Sequence, residues 1–199
     1  MKEDKTVPQL RFPEFTDAWK QRKLGDLASN LDYGLNAPAK SYDGEHIYLR
    51  ITDIDDDSRS LILNNLTSPD TQLENASEYL LNEKDILFAR TGATVGKSFL
   101  YKKIYGTVYF AGFLIRARIK DEYDRNFIFQ STLTDSYKNF IKITSQRSGQ
   151  PGVNAKEYAS FEIGIPSFAE QQKIGEFFEN IDNTITLQQR WLFYTHKQS

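Results

Sequence analysis

Hydrophobic and polar residues alternate along "HIYLRITDI" (46–54), the pattern of a strand with one face buried. "WKQRKL" (19–24), "KDILFAR" (84–90) and "FEIGIP" (161–166) read as further strands, and "TVYFAGFLIRARI" (107–119) as one long β-rich strand. "GDLASNL", which follows the first of these, reads as a short helical turn. Clusters of Asn, Asp, Ser and Gly, the usual turn formers, separate the segments. Residues 1–18 read as an extended arm, in which Pro8 and Pro13 restrict the backbone and Leu10, Phe12 and Phe15 offer apolar anchors.

From Arg125 to Thr144 the period changes. Phe129, Leu133, Tyr137, Phe140 and Ile141 fall on one helical face. A loop with two glycines and a proline, "SQRSGQPGVN" (145–154), precedes the last strand. The order of elements predicts an α+β chain. A mixed, strand-rich domain covers 19–166, and a long helix follows over 167–199. Ser167 and Glu170 have the spacing of a capping box, which satisfies the free N–H groups of a helix start. Ile174, Phe178, Ile181, Ile185, Gln188 and Leu192 then recur at spacings of four and three, as in a coiled-coil seam. Helical to its end, the segment would run about 45 Å. A helix folded back on its own domain is the other reading of this face. The additional Phe177 and Trp191 favour packing on another helix, with Gln188 fixing the register.

Composition narrows the class. The 199 residues are 39% hydrophobic and 26% charged, which suits a globular core. No apolar run approaches the ~20 residues of a membrane span, and "MKEDKTVPQL" lacks the apolar centre of a signal peptide. The absence of cysteine excludes disulfides and thiolate metal sites, and fits a reducing cytoplasm. The net charge of −2 leaves a nucleic-acid partner open, because local distribution decides that question. Lys84, Arg90, Lys97, Lys102 and Lys103 cluster against a lone Asp85, and Lys138, Lys142, Arg147 and Lys156 against a lone Glu157. Acids gather in "DIDDD" (53–57).

Catalytic chemistry is not legible. "ARTGATVGKS" (89–98) approximates a phosphate-binding loop, but that loop needs its first glycine where Thr91 stands, and a helix should follow it. "SFLYKKIYGTVYF" (98–110) reads instead as strand–turn–strand. His46 and His196 have no obvious partner. Asp53, Asp55 and Asp57 imitate the first ligands of a calcium loop, yet Ser58 and Asn64 occupy the positions of its glycine and closing glutamate. Pro69-Asp70 lacks the following acid and lysine of a nuclease core, and no amino-methyltransferase motif is present. The expectation is a non-enzyme without metal or cofactor.

Four stretches, "PQLRFPEFTDAWKQRKLGDL" (8–27), "KDILFARTGATVGKS" (84–98), "SGQPGVN" (148–154) and "IPSFAEQQKIGEFFENIDNTI" (165–185), together resemble the specificity (S) subunit of type I restriction–modification enzymes. The last is the most distinctive: a proline, then Glu-Gln-Gln-Lys-Ile, then Ile-Asp-Asn-Thr-Ile. The resemblance implies a recognition domain that reads one half of a bipartite site in double-stranded DNA. It also implies a helix that docks the methyltransferase subunit, and through that complex the restriction subunit. The subunit itself does no chemistry. A full subunit would carry two recognition domains and two helical regions, where this chain has one of each. It is expected to be half of a longer polypeptide, or a half-subunit that self-associates through its helix.

On this reading the Gly-rich loop faces DNA. Gly92 and Gly96 permit close approach, while Arg90, Thr91, Thr94 and Lys97 supply contacts. Phosphate neutralisation is assigned to Arg90, Lys97, Lys102, Lys142 and Lys156. Base reading is assigned first to Gln146, Arg147, Ser148, Gln150 and Asn154, because Arg matches guanine and Asn or Gln matches adenine. Arg50 and Thr52, with Tyr33, Asn36 and Lys40 on a second polar loop, are further candidates. Two rivals stay open: a nucleotide hydrolase using 92–98, and an assembly protein whose globular part binds another protein.

Overall fold

The computed structural model describes Pro8, residues 10–146 and residues 151–196, the side chains at 186 and 189–196 excepted. In chain order the elements are β1 (Lys20–Lys23), α1 (Leu24–Leu27), β2 (Ala28–Tyr33), β3 (Ala39–Ser41), β4 (His46–Leu49) and β5 (Thr67–Pro69). There follow β6 (Asp85–Ala89), β7 (Ser98–Leu100), β8 (Thr107–Phe110), β9 (Leu114–Ile119), α2 (Arg125–Ser131), α3 (Asp135–Ser145), α4 (Ala155–Ala159), β10 (Glu162–Ile165) and α5 (Phe168–His196).

An antiparallel sheet in the order β2-β9-β6-β7 forms the centre. β6 is buried along its whole length, which explains why "DILFA" is an apolar run rather than an alternating one. Ile86 and Phe88 face a core built with α1 to α4 and β10, where Phe127, Ile128, Tyr137, Tyr158 and Ile163 are buried. Leu87 and Ala89 face the opposite side, where Ile47, Leu49, Val108 and Phe110 of the parallel β4–β8 pair make a second core. Each fully buried side chain of this size stabilises the fold by about 1.5–3 kcal/mol. β1 and β10 pair separately, as do β3 and β5.

Four expected elements differ. The short helical turn expected over 25–31 ends at Leu27, and Ala28–Tyr33 is strand β2. Residues 107–119 are not one strand, because Leu114 N–H donates to Ala111 carbonyl oxygen and closes a turn. That turn sends β8 and β9 into different sheets. The 46–54 strand stops at Leu49, where Asp53 accepts from the Arg50 N–H at 2.9 Å and curls residues 51–53 into a 3-10 turn. The single helix over 125–144 is two. Thr132 turns its hydroxyl onto Phe129 carbonyl oxygen, and Thr134 caps α3 by accepting from Tyr137 N–H. The helical face itself survives the break: Phe129, Tyr137 and Ile141 are buried, and Leu133 and Phe140 pack against them.

α5 starts where the capping pattern places it, and Ser167 Oγ accepts from Glu170 N–H. The reciprocal half of the box is absent. Glu170 is fully buried, and its carboxylate accepts from Arg11 Nε and Nη2 at 2.6 and 2.7 Å and from Trp19 Nε1 at 3.3 Å. The part of the arm around residues 11–14 thus lies on α5. Phe12 meets Phe177 edge-on with ring centroids 6.0 Å apart, and Lys173 pairs with Glu14.

Candidate nucleic-acid interface

The Gly-rich loop and the loop after α3 are neighbours. Val153 N–H donates to Arg90 carbonyl oxygen at 2.9 Å, and Gly92 N–H to Pro151 carbonyl oxygen at 3.1 Å, with an antiparallel bridge between Thr91 and Gly152. Thr91, Thr144, Gly152 and Asn154 line one shallow depression beside Arg90. Gly92 and Gly96 hold φ of +73° and +85°, values that glycine adopts without strain. Two buried tyrosines brace this feature from below. Tyr158 donates to Ala89 carbonyl oxygen at 2.6 Å and accepts from Gly96 N–H, while Tyr137 donates to Gly96 carbonyl oxygen at 2.9 Å. Burial raises both phenol pKa values above the ordinary range, which keeps the two hydroxyls protonated as donors.

Residues 92–94 form a 3-10 turn and β7 follows, so no helix opens behind Gly96-Lys97-Ser98 to receive a nucleotide phosphate. Lys97 departs most from its expected position. It is 7% exposed, donates to Ile54 carbonyl oxygen at 3.0 Å and pairs with Asp56 at 2.5 Å. A lysine expected as a free surface cation is instead a strut between β7 and the acidic turn. Thr94 is half-buried and lines a groove with Asp56, Arg59, Tyr137 and Lys138, apart from Arg90.

Arg50 also has its charge compensated. Its Nε and Nη2 donate to Asp53 at 3.0 and 2.7 Å. The neighbouring Thr52 is exposed and reaches the same carboxylate. Asn154 caps α4: its Oδ1 accepts from Glu157 N–H, and its own N–H donates back to the Glu157 carboxylate. Gln146, Lys142 and Lys156 are exposed. Neither Lys142 nor Lys156 has an acidic partner among the described residues. Lys102 pairs with Glu179 at 3.4 Å. Arg147, Ser148 and Gln150 lie outside the described residues.

Arg90 contrasts with Arg50. Its guanidinium stacks over the Tyr33 ring at 4.7 Å, and Nη1 donates to Gly112 carbonyl oxygen at 3.3 Å. It has no ion pair among the described residues. The surrounding cleft, about 450 Å³ in volume, is lined by the 33–39 loop, both arginines and the 111–113 turn. The second polar loop expected around Tyr33 and Asn36 supplies one wall, and the turn that breaks the 107–119 run supplies the other through Phe113. The Ala-Gly pair before it was the available signal.

On α5, Ile174 packs against the main core. Phe178, Ile181 and Ile185 are 41%, 38% and 47% exposed, and the Leu192 side chain lies outside the described residues. Among the described residues no cluster of acidic and histidine side chains could hold a metal, and no helix is long and apolar enough to cross a membrane.

A central antiparallel sheet flanked by short helices, a braced loop pair and a long terminal helix together make up the fold. The chain belongs to the family of type I restriction modification DNA specificity domains, whose profile matches residues 16–192. It is 27% identical over 188 residues to the type I restriction enzyme MjaVIII specificity subunit of Methanocaldococcus jannaschii, an alignment spanning 91% of this chain and 39% of that protein. The S subunit of a type I restriction–modification system from M. genitalium superposes with a TM-score of 0.64 at 15% identity, covering 89% of this chain and 42% of the other. The HsdS subunit of Thermoanaerobacter tengcongensis gives 0.58 at 15% identity, covering 92% and 41%. At that identity the likeness is one of fold. The chain spans about two-fifths of the length of these relatives.

Proposed function

We propose that this chain is a non-catalytic DNA-recognition unit of a cytoplasmic type I restriction–modification complex, reading one half of a bipartite duplex site. The observation that carries the proposal is the backbone pairing of Arg90–Gly92 with Pro151–Val153, which joins two loops rich in DNA-compatible side chains into one braced surface. Arg90, Thr91, Gln146, Asn154 and Lys156 belong to that surface, with Lys142 beside it, and Arg147, Ser148 and Gln150, which lie outside the described residues, are proposed as base contacts. Lys97 and Arg50 support it through their salt bridges, and Thr52 and Thr94 lie at its margin. The domain boundaries proposed are an arm over 1–18, a recognition domain over 19–166 and a spacer helix over 167–199.

The exposed stripe of Phe178, Ile181 and Ile185 suits helix–helix packing. We assign to it pairing with a second recognition unit, or a second copy of the chain, and docking of the methyltransferase subunit. The restriction subunit joins through that complex. Methylome sequencing with and without the gene tests the proposal directly: a bipartite methylated motif should vanish when the gene is removed.

One observation favours a second reading. Many cations of the globular part are matched by acids, among them Arg50, Lys84, Lys97, Arg116 and Arg118, as in a protein-binding assembly domain. No shift of any duplex in the presence of the methyltransferase subunit would favour that reading.

A further inference from the structure

We infer that the cleft between the 33–39 loop and the 111–113 turn is a base-reading site, in which Arg90, Asn36 and Phe113 face a purine edge and its neighbour in a DNA groove. The inference rests on the DNA-recognition reading above and names where on the domain the sequence is read.

Three observations converge on this cleft. The first is the state of its two arginines. Arg50 directs Nε and Nη2 at Asp53, whereas Arg90 makes no bond from Nε or Nη2 among the described residues. Stacking on Tyr33 and the bond from Nη1 to Gly112 hold the Arg90 guanidinium in place. A fixed planar fork with free donors matches a ligand offering two adjacent acceptors. In duplex DNA these are guanine O6 and N7, or two oxygens of one phosphate.

The second is the company Arg90 keeps. Asn36 is exposed and makes no side-chain hydrogen bond among the described residues, and Asn is the side chain that pairs with adenine N6 and N7. Phe113 is 66% exposed on the same cleft, an apolar group of the kind that contacts a thymine methyl. Phosphate binding would call for further cations here, and among the described residues the only other one lining the cleft is neutralised by Asp53. Base edges are therefore favoured over a phosphate.

The third is rigidity. Leu35 N–H donates to Phe110 carbonyl oxygen at 2.8 Å, Gly112 N–H to Leu35 carbonyl oxygen at 2.8 Å, and Arg90 N–H to Phe113 carbonyl oxygen at 3.1 Å. Tyr48 Oη donates to Leu35 carbonyl oxygen at 2.6 Å and lies within 3.1 Å of Ala37 carbonyl oxygen. Both walls and the arginine are bonded to one another, and such preorganisation is what discrimination between bases requires.

The test is selection from a randomised duplex library by the full natural protein containing this chain, assembled with its methyltransferase subunit, with sequencing of the bound fraction. Wild type should enrich a defined half-site. Arg90→Lys keeps the charge but loses the fork, and should reduce discrimination at one guanine about tenfold. Asn36→Ala should relax one adenine position, and Phe113→Ala an adjacent thymine. Both side chains are exposed, so these two variants fold even if Arg90→Lys does not. An unchanged motif in all three variants, with wild type still selective, overturns the cleft assignment alone. An unchanged motif with a shallower salt dependence for Arg90→Gln, which removes the charge, assigns the arginine to a phosphate and overturns it as well. A wild-type complex that enriches no sequence overturns the DNA-recognition reading and this inference with it.

Discussion

Arg11 and Glu170, 159 residues apart in sequence, meet through two parallel hydrogen bonds of 2.6 and 2.7 Å. Glu170 is fully buried, so removing its partner strands a carboxylate away from water. Arg11→Ala should lower the melting temperature more than the double variant Arg11→Ala/Glu170→Gln, in which the orphaned charge is gone. A double-mutant cycle followed by thermal denaturation measures the difference, and additive losses would contradict the coupling.

Lys97→Ala separates a structural lysine from a DNA-contacting one. Its loss leaves Ile54 carbonyl oxygen without this donor in the interior, while Asp56 is already solvated. The expected cost is about 1–3 kcal/mol of stability in urea unfolding. The salt slope of DNA binding should stay at the wild-type value. A slope reduced by about one would return Lys97 to the phosphate contacts.

Asp124 caps α2 by accepting from Phe127 N–H, yet desolvation by burial raises its pKa, opposed by hydrogen bonds from Phe127 and Asn126. A raised carboxyl pKa means the folded state binds the proton more tightly than the unfolded chain does. Stability is then highest below the unfolded value near 4, and falls as pH rises through the folded value. Asp124→Asn retains the cap without the charge. It should give a small rise in melting temperature at pH 7 that shrinks as pH falls toward 4. A rise that is the same at both pH values would show that the charge is not its cause.

Gly34→Ala would place a Cβ on the Ala111 carbonyl, with the Phe110 carbonyl oxygen only 2.6 Å away. Backbone cannot swing aside as a flexible side chain can, so the loop must shift at a cost of about 2 kcal/mol. Leu35 and Gly112 should then lose hydrogen-exchange protection. Retained protection at both amides would show that the loop absorbs the methyl group without separating from the turn.

Local patterns carried most of the strands, the capped start of α5 and the two loops that come together. "KDILFAR" and "FEIGIP" announce themselves by apolar and β-branched content, which needs no tertiary information. The break at Thr132–Thr134 and the turn at Ala111–Phe113 were harder to read. Each depends on a hydrogen bond whose alternative is locally as good. The fates of Arg50 and Arg90 were illegible for a different reason. Both look like free cations in sequence, and only the fold decides that one meets Asp53 while the other meets an aromatic ring and a backbone carbonyl. The pairing of Lys97 was illegible in the same way, because its partner, Asp56, is 41 positions earlier in the chain.

Gln171, Gly175, Glu179 and Asp182 recur along one side of α5, and each touches the globular part. Gln171 accepts from Asp124 N–H, Gly175 packs against Asn126 and Phe127, and Glu179 and Asp182 accept from the side chains of Asn126 and Gln130. Four attachments on one face fix the azimuth of the helix as well as its direction. One residue inserted after Asp182 would turn everything beyond it by about 100° and advance it by about 1.5 Å. Four inserted residues would lengthen it by about 6 Å and leave the phase only about 40° off. A rod clamped this way can change reach and keep its heading only in steps close to a full turn.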